Sequence, residues 1–202
     1  MLYSNVTSHA ETVDNVMLYI TVISLIFLIG ITVTMLYFVY KYNRKRNSKA
    51  EDIHGNFWLE TVWIVIPTLL VLTMFYYGYI GYKDIKAEPG EDAITVRAVA
   101  QMWKWEFVYE NGRKTDTLYV PSGKPVKLLM VSLDVNHSLY IPAYRVKQDV
   151  VLGRTNNLVI YPEKTGDYDI ACAEYCGLEH SMMYTKLRVL DEQKFNDWYI
   201  EK

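Results

Sequence analysis

The side chains best suited to hold a metal ion are concentrated near the C-terminal end of the chain. One twelve-residue segment, from Cys172 to Met183, reads Cys-Ala-Glu-Tyr-Cys-Gly-Leu-Glu-His-Ser-Met-Met and holds both cysteines of the chain. His180 lies in this segment, and His137 lies upstream in the string Asp-Val-Asn-His-Ser. Thiolate, imidazole and thioether groups together form the soft ligand set that copper prefers. The segment is therefore the candidate for chemistry.

Two cysteines also allow simpler interpretations than copper. A disulfide is the default for cysteine pairs outside the cytoplasm, but Cys172 and Cys176 lie only four residues apart, and the geometry of a bridge is narrow. It would also leave the histidines and the methionine without a role. A tetrahedral zinc site would use two thiolates and two imidazoles, but the spacing is not that of a zinc finger and Met183 would be idle. Both interpretations stay open as alternatives.

A copper site gives every soft donor a role. One cysteine, two histidines and a weak methionine on a β-sandwich form a mononuclear electron-transfer site, and this chain has one cysteine more. Two thiolates on one loop can bridge two copper ions, each completed by one imidazole and one weak ligand. Met183 offers one weak ligand and a loop carbonyl offers the other. Because no coordination position stays open, we expect electron transfer rather than substrate chemistry at the metal.

Two uncharged apolar stretches precede this segment and predict a membrane anchor. The chain has 202 residues, 51% of them hydrophobic, and neither residues 16–40 nor residues 61–82 contain a charged side chain. A membrane-crossing helix needs about 20 predominantly apolar residues, and tyrosines crowd the ends of both stretches, as expected at membrane interfaces. This pattern excludes a single soluble globule and a disulfide-rich miniprotein. Two buried core helices are the alternative to two transmembrane helices.

The loop between the two stretches predicts the orientation. Residues 41–60 begin with five lysines and arginines within residues 41–49, and basic residues near span ends stay on the cytoplasmic side. Residues 1–15 then form an outer N-terminal tail, which lacks the basic start of a cleavable signal. We expect the C-terminal domain on the outer side of a bacterial plasma membrane, with an organellar inner membrane as the alternative. The net charge of −2 gives no reason to expect a nucleic-acid partner.

The C-terminal part of the chain predicts a β domain. After a linker at residues 83–92, residues 93–190 contain short alternating segments separated by turn residues such as Asn111-Gly112. Many short strands without helices between them indicate a β-sandwich or barrel. Residues 191–202 predict one short helix that Asp191 can cap. The six predicted strands are Ile94–Ala100, Thr117–Val120, Val126–Val131, Leu158–Tyr161, Asp167–Ala171 and Thr185–Leu190.

The candidate segment resembles the CuA loop of the cytochrome c oxidase subunit II family. The residues from Cys172 to Met183 carry most of the likeness, and His137 with its neighbours resembles the family's other ligand segment. Residues 60–67 resemble the start of the family's second span, and residues 103–105 resemble its aromatic stretch. The resemblance implies a two-helix transmembrane hairpin, an all-β cupredoxin-like sandwich or barrel, and a short C-terminal helix.

The resemblance also implies a binuclear copper centre, CuA, and its ligands. The Glu174 side chain in this family faces subunit I, where it helps to hold a magnesium ion. Met182 beside Met183 leaves the register ambiguous from the residues alone, and the family spacing favours Met183. The copper ligands implied by the family's pattern are His137, Cys172, Cys176, His180, Met183 and the backbone carbonyl of Glu174.

Two further residues match functional positions of the family. Trp103 matches the residue through which electrons from cytochrome c are thought to pass, and Glu60 matches the glutamate at the cytoplasmic mouth of a proton pathway. From the residues alone, Trp103 is also typical of a packing or membrane-interface anchor. Glu60 is also typical of a carboxylate stabilised by the positive end of a helix.

The implied function is that of an electron-transfer subunit of a haem–copper oxidase. CuA takes electrons from a cytochrome c and passes them to a haem in subunit I, where oxygen is reduced to water and protons are pumped. Subunit I, further oxidase subunits and membrane lipid are the implied partners, and this chain alone reduces no oxygen. One alternative is a quinol oxidase subunit II, which has lost the copper ligands. The other is a membrane-anchored copper carrier, which needs a labile and exposed site.

The charge pattern predicts an unusual electron donor. Lys104 stands where the family usually has an aromatic residue, and residues 89–202 hold 14 lysines and arginines against 16 aspartates and glutamates. A domain without an acidic field does not steer a basic partner. We therefore expect a cytochrome c donor that is less basic or tethered to the membrane. The chain has no Cys-x-x-Cys-His string, so it carries no covalent haem of its own.

Overall fold

The computed structural model describes residues 6–47, 49, 54–90 and 92–201. The chain forms two compact units: residues 15–82 make one, and the first fourteen residues together with residues 83–202 make the other. The helices are α1 Ser8–Lys41, α2 Phe57–Ile85 and α3 Glu192–Ile200. The strands are β1 Ile94–Gln101, β2 Lys104–Tyr109, β3 Lys114–Thr115, β4 Leu118–Pro121, β5 Val126–Ser132, β6 His137–Ile141, β7 Val146–Val150, β8 Asn156–Ile160, β9 Gly166–Cys172 and β10 Tyr184–Leu190.

The unit of residues 15–82 consists of the apolar lengths of α1 and α2. Both helices are long and apolar enough to cross a membrane, and their most apolar windows are not buried inside the described chain. The two helices are joined by a hydrogen bond of 2.7 Å between the hydroxyls of Tyr19 and Thr73. Their apolar side chains therefore face outward, which is inconsistent with two core helices of a soluble protein and suits a surrounding lipid or a partner subunit.

The β domain contains two five-stranded sheets. One has the strand order β3-β2-β1-β5-β8 and the other has the order β4-β10-β9-β6-β7. The β1–β5 and β4–β10 pairs are parallel, and the remaining neighbours are antiparallel. The fold is thus a β-sandwich, as the strand pattern predicts. Its core is formed by inward-facing side chains of both sheets, among them Phe107, Leu128, Leu139 and Ile170, which are fully buried.

All six predicted strands are present, and the structure adds four more. β6 was not predicted because its residues are buried on both faces except Tyr140, so it shows no alternation. β7 was not predicted because the three residues between its terminal valines are all polar. β2 alternates but begins at the charged Lys104, and β3 has only two residues.

The C-terminal helix α3 begins where the sequence places its cap. Asp191 has an extended backbone, and its side chain accepts a hydrogen bond from the Lys194 amide at 2.9 Å. Phe195 is buried, and the Trp198 ring stacks on Tyr119 with centroids 4.4 Å apart. The i, i+3 spacing of these aromatic residues therefore fastens the helix to the β domain.

The segment predicted as an outer tail begins a helix in the structure. α1 starts at Ser8, eight residues before the predicted span, and its first two turns belong to the same unit as the β domain. Ser8 donates to Glu163 from both its amide and its hydroxyl, at 2.9 and 2.7 Å. Arg145, whose backbone lies in the left-handed region with φ 56°, donates to Asp14 at 2.8 Å. Polar contacts with the β domain explain why this part of the helix is not apolar.

We predict that Asp14→Asn loosens the first two turns of α1 from the β domain. Asp14 is 7% exposed and its partner Arg145 is 27% exposed, so removing one charge leaves the other partly buried and unpaired. We expect a loss of about 2 kcal/mol, which corresponds to roughly thirtyfold faster local opening. Amide hydrogen exchange of residues 8–14 measures this change.

The matched control for this prediction is Asp167→Asn. Asp167 pairs with Arg188 at 2.8 Å, and both side chains are more than 40% exposed, so its loss should change local opening by less than about 1 kcal/mol. Unchanged exchange in residues 8–14 of the Asp14→Asn variant would show that other contacts hold this segment.

Candidate metal centre

Three neighbouring strands position the metal-binding side chains. His137 is the first residue of β6, Cys172 is the last residue of β9, and Met183 immediately precedes β10. β9 lies between β6 and β10 in the same sheet, so the ends of the three strands meet at one edge. The loop that carries Cys176 is closed at its base, because the Cys172 amide donates to the Met183 carbonyl at 3.0 Å.

Six donor atoms lie close together, namely the two cysteine sulfurs and four atoms beside them. The two Sγ atoms lie 3.8 Å apart and are not bonded to each other. His137 Nδ1 and the Glu174 carbonyl oxygen lie 3.8 and 3.3 Å from the Cys172 sulfur. The Cys176 sulfur has His180 Nδ1 at 3.5 Å and Met183 Sδ at 3.8 Å. Each sulfur thus has one imidazole and one weak donor beside it.

Most of the cluster is buried, and burial changes the pKa of one of its thiols. His137 and Met183 are fully buried, and Cys176 and Cys172 are 3% and 8% exposed. Removal from water, together with the nearby charge of Cys172, raises the pKa of the Cys176 thiol to about 11. A bound metal cation would favour the thiolate form of this cysteine, because its positive charge offsets the cost of burying a negative one.

Asp134 orients one of the two imidazoles. Its Oδ1 atom lies 2.8 Å from His137 Nε2, which leaves Nδ1 facing the sulfurs. The amides of Met102 and Val135 also donate to its carboxylate, both at 2.6 Å. Burial opposes ionisation of Asp134, but these hydrogen bonds outweigh it and lower the pKa of the carboxyl group. The sequence did not predict this role for Asp134. The only sign of it in the sequence is the spacing Asp-x-x-His.

Trp103 lies directly against the cysteine loop. Its indole Nε1 donates to the Cys176 carbonyl at 3.2 Å. Gly177 has φ +119°, and a Cβ atom at this position would lie 3.3 Å from the Trp103 ring. Only glycine suits both the backbone conformation and the close approach of the ring, so the indole packs directly against the loop. Trp105, by contrast, is buried and meets His137 edge-on with centroids 6.3 Å apart.

The other side chains singled out in the sequence, those of Glu60, Glu174 and Met182, are not part of the cluster. Glu60 has an exposed side chain in the first turn of α2, which belongs to the unit of residues 15–82. The cap of this helix is Asn56, whose side chain accepts a hydrogen bond from the Leu59 amide at 3.1 Å. The side chain of Glu174 is exposed, although its carbonyl faces the cluster. Met182 is also exposed, whereas Met183 faces inward.

Comparisons with known proteins agree with this architecture. A family model described as the transmembrane domain of cytochrome c oxidase subunit II matches residues 4–79. A second model, described as the periplasmic domain of the same subunit, matches residues 113–189. Together the two matches cover the helical hairpin and most of the β domain.

Individual relatives give the same result. The cytochrome c oxidase subunit 2 of Alkalihalophilus pseudofirmus is 32% identical and aligns with 92% of this chain and 56% of its own length. The alternative cytochrome c oxidase subunit 2 of Bradyrhizobium diazoefficiens is 30% identical over 81% of this chain and 70% of its own length. The crystal structure of the periplasmic domain of subunit II of cytochrome oxidase from Bradyrhizobium japonicum is 26% identical, covers 55% of this chain and 92% of that chain, and has a TM-score of 0.51.

The fold and the site define a membrane-anchored, cupredoxin-like protein with a buried cluster of soft metal donors. The chain belongs to the cytochrome c oxidase subunit II family. Members of this family are subunits of oxidases, as the names of these relatives state. The family also implies copper, and the thiol, imidazole and thioether groups of the cluster are the donors that copper prefers.

We predict that Asp134→Ala weakens copper binding without unfolding the β domain. The His137 ring loses the hydrogen bond that fixes its orientation, and such losses in other metal sites lower affinity by roughly 10–100-fold. Competition with a chelator of known copper affinity measures the change. Asp169→Ala is the control, because Asp169 forms only an exposed ion pair with Lys186. Equal copper affinities of the two variants would exclude the orienting role of Asp134.

Proposed function

We propose that the six donors hold a binuclear copper centre, CuA, which accepts and releases one electron at a time. The observation that carries this proposal is the convergence of four further donors on two sulfurs 3.8 Å apart. Two thiolates, two imidazoles and two weak donors would suffice to hold two copper ions. A bound CuA centre supplies an electron shared between two metals.

The arrangement favours copper over zinc. Four donors complete a zinc site, and the two cysteines and two histidines already supply four. Met183 is nonetheless fully buried, with its Sδ 3.8 Å from the Cys176 sulfur. A buried thioether directed at a thiolate has a function in a copper site and none in a tetrahedral zinc site.

The chain's own residues also suggest a path for electrons to the centre. The Trp103 indole is half-buried and donates to the Cys176 carbonyl. We infer that a cytochrome c donor docks over Trp103 and that the electron passes through this hydrogen bond to the cysteine loop. The next acceptor is a haem in subunit I, where oxygen is reduced to water and protons are pumped.

Glu174 suits a position between this chain and subunit I. Its carbonyl oxygen faces the cluster, 3.3 Å from the Cys172 sulfur, while its carboxylate is exposed on the outside of the loop. One residue can thus serve as a copper ligand through its backbone and as a ligand of a shared magnesium ion through its side chain. Carboxylate oxygens are the ligands that magnesium prefers.

The proposed orientation follows from the basic loop. The five cations of residues 41–49 favour a cytoplasmic position of this loop, which places the copper domain on the outer face of the membrane. Glu60 then lies on the cytoplasmic side, at the start of α2, where an exposed carboxylate suits the mouth of a proton pathway.

The two other functions fit the site less well. A copper-free quinol oxidase subunit has no need of the donors that this chain retains and buries. A copper carrier needs a site that releases its metal readily, whereas four of the five side-chain donors here are at most 8% exposed. Slow release of copper to a weak chelator is therefore expected.

We predict that the full chain in detergent binds two coppers and shows one unpaired electron split equally over two copper nuclei. Electron paramagnetic resonance and metal analysis measure both properties. Cys176→Ser should abolish the shared signal, because one thiolate cannot bridge the pair. Met183→Leu is the matched control: it should keep both metals and shift the reduction potential, because a thioether is a weak ligand. A single copper with a blue spectrum would refute the binuclear centre.

We predict that a weakly charged cytochrome c reduces the centre at a rate that changes little with salt. Residues 89–202 carry nearly balanced charges, and Lys104 is exposed beside Trp103, so electrostatic steering is weak. Stopped-flow reduction at increasing ionic strength measures this. Lys104→Glu should raise the rate with a basic cytochrome c and make it fall with salt. Fast, strongly salt-dependent reduction of the unmodified chain by a basic cytochrome c would contradict the prediction.

A further inference from the structure

The buried donors leave one side from which a metal ion can reach the cluster. His137 and Met183 are fully buried, and the two cysteines are nearly so. His180 is the one side-chain donor with an intermediate exposure, and it lies in a single turn of 3-10 helix, His180–Met182. A metal ion arriving from solvent therefore meets the His180 side of the loop first.

Met182 belongs to the same 3-10 turn as His180 but is not one of the converging donors. It is 74% exposed, whereas the adjacent Met183 is fully buried. It follows His180 by two residues in the same helical turn. A thioether with three-quarters of its surface in solvent contributes little to packing, so the stability of the domain does not explain a methionine here.

We propose that Met182 is a capture ligand for cuprous ion, which it passes to His180 and then to the cysteines during assembly of the centre. This inference rests on the copper centre proposed above and adds a step that precedes it. Cu(I) is soft and binds thioethers readily. Capture is a ligand exchange in which copper keeps its oxidation state, and each thiol releases one proton to solvent as its sulfur binds.

The chain offers a matched methionine on another side of the loop. Met102 is also exposed, at 44%, and its Sδ lies 3.6 Å from the position of a Cβ atom on Gly177. It adjoins Trp103 rather than His180. If any exposed thioether near the loop assisted copper loading, Met102 would do so as well. A Met102 variant therefore distinguishes a specific route through Met182 from a general attraction of copper to methionine.

The test measures the rate of copper loading into the full chain in detergent, freed of metal and with reduced thiols. Cu(I) is delivered from a weak chelator, and thiolate-to-copper absorption is followed with time. We expect Met182→Leu to load more slowly, on the order of tenfold, the lower end of effects of residues near metal sites. Its final copper content and spectrum should equal those of the unmodified chain, and Met102→Leu should load at the unmodified rate.

A second measurement identifies the capturing atom without any redox chemistry. The chain has eight methionines, whose methyl groups are labelled with carbon-13 and followed by NMR as Ag(I), a redox-inert substitute for Cu(I), is added. The Met182 signal, assigned by its loss in Met182→Leu, should shift before that of Met183. A Met183 signal that shifts first in the unmodified chain would overturn the capture role.

The outcomes separate this inference from the function on which it rests. Two coppers at the end point, with equal loading rates of Met182→Leu and the unmodified chain, would overturn the capture role and leave the binuclear centre intact. Equal slowing by Met102→Leu would also overturn it, because the route would then not be specific. Fewer than two coppers in the unmodified chain would instead refute the proposed centre and, with it, the inference.

Discussion

Two cysteine sulfurs held 3.8 Å apart in a buried loop are the constraint on which the rest of the site depends. Burial raises the pKa of the Cys176 thiol, so the ionised form of this thiol is disfavoured. The sandwich supports this unfavourable arrangement with ordered strands: β6, β9 and β10 bring His137, Cys172 and Met183 to one edge of a sheet. The burial that disfavours a free thiolate at Cys176 thus also makes the site suitable for a metal cation.

The groups around the sulfurs form a connected, rigid surround. Asp134 holds the His137 ring and also binds the Met102 amide, while the next residue, Trp103, donates to the Cys176 carbonyl. The Met102–Trp103 segment therefore contacts both the residue that orients an imidazole and the cysteine loop. In the proposed copper centre, these contacts would restrict the movement of the ligands. The close contact of the indole with the loop also explains why Gly177 is needed beneath it.

The division of the chain into two units matches two physical tasks. The helices of residues 15–82 expose apolar side chains that only lipid or a partner can cover. The β domain buries its own core, and residues 89–202 carry nearly balanced charges. The first two turns of α1 belong to the same unit as the β domain, and Ser8 and Asp14 make polar contacts with it.

The sequence by itself determined the apolar hairpin, six of the ten strands, the capped C-terminal helix and the set of soft donors, because each is a local pattern of residue types. The tertiary structure decided what local patterns cannot show. No local pattern assigns a role to Asp134, and only the structure shows that its carboxylate holds the His137 ring. The strands β6 and β7 show no alternation of apolar and polar residues, so only their pairing with neighbouring strands identifies them. Two adjacent methionines look alike in the sequence, and only burial separates them, since Met183 faces the sulfurs while Met182 faces solvent.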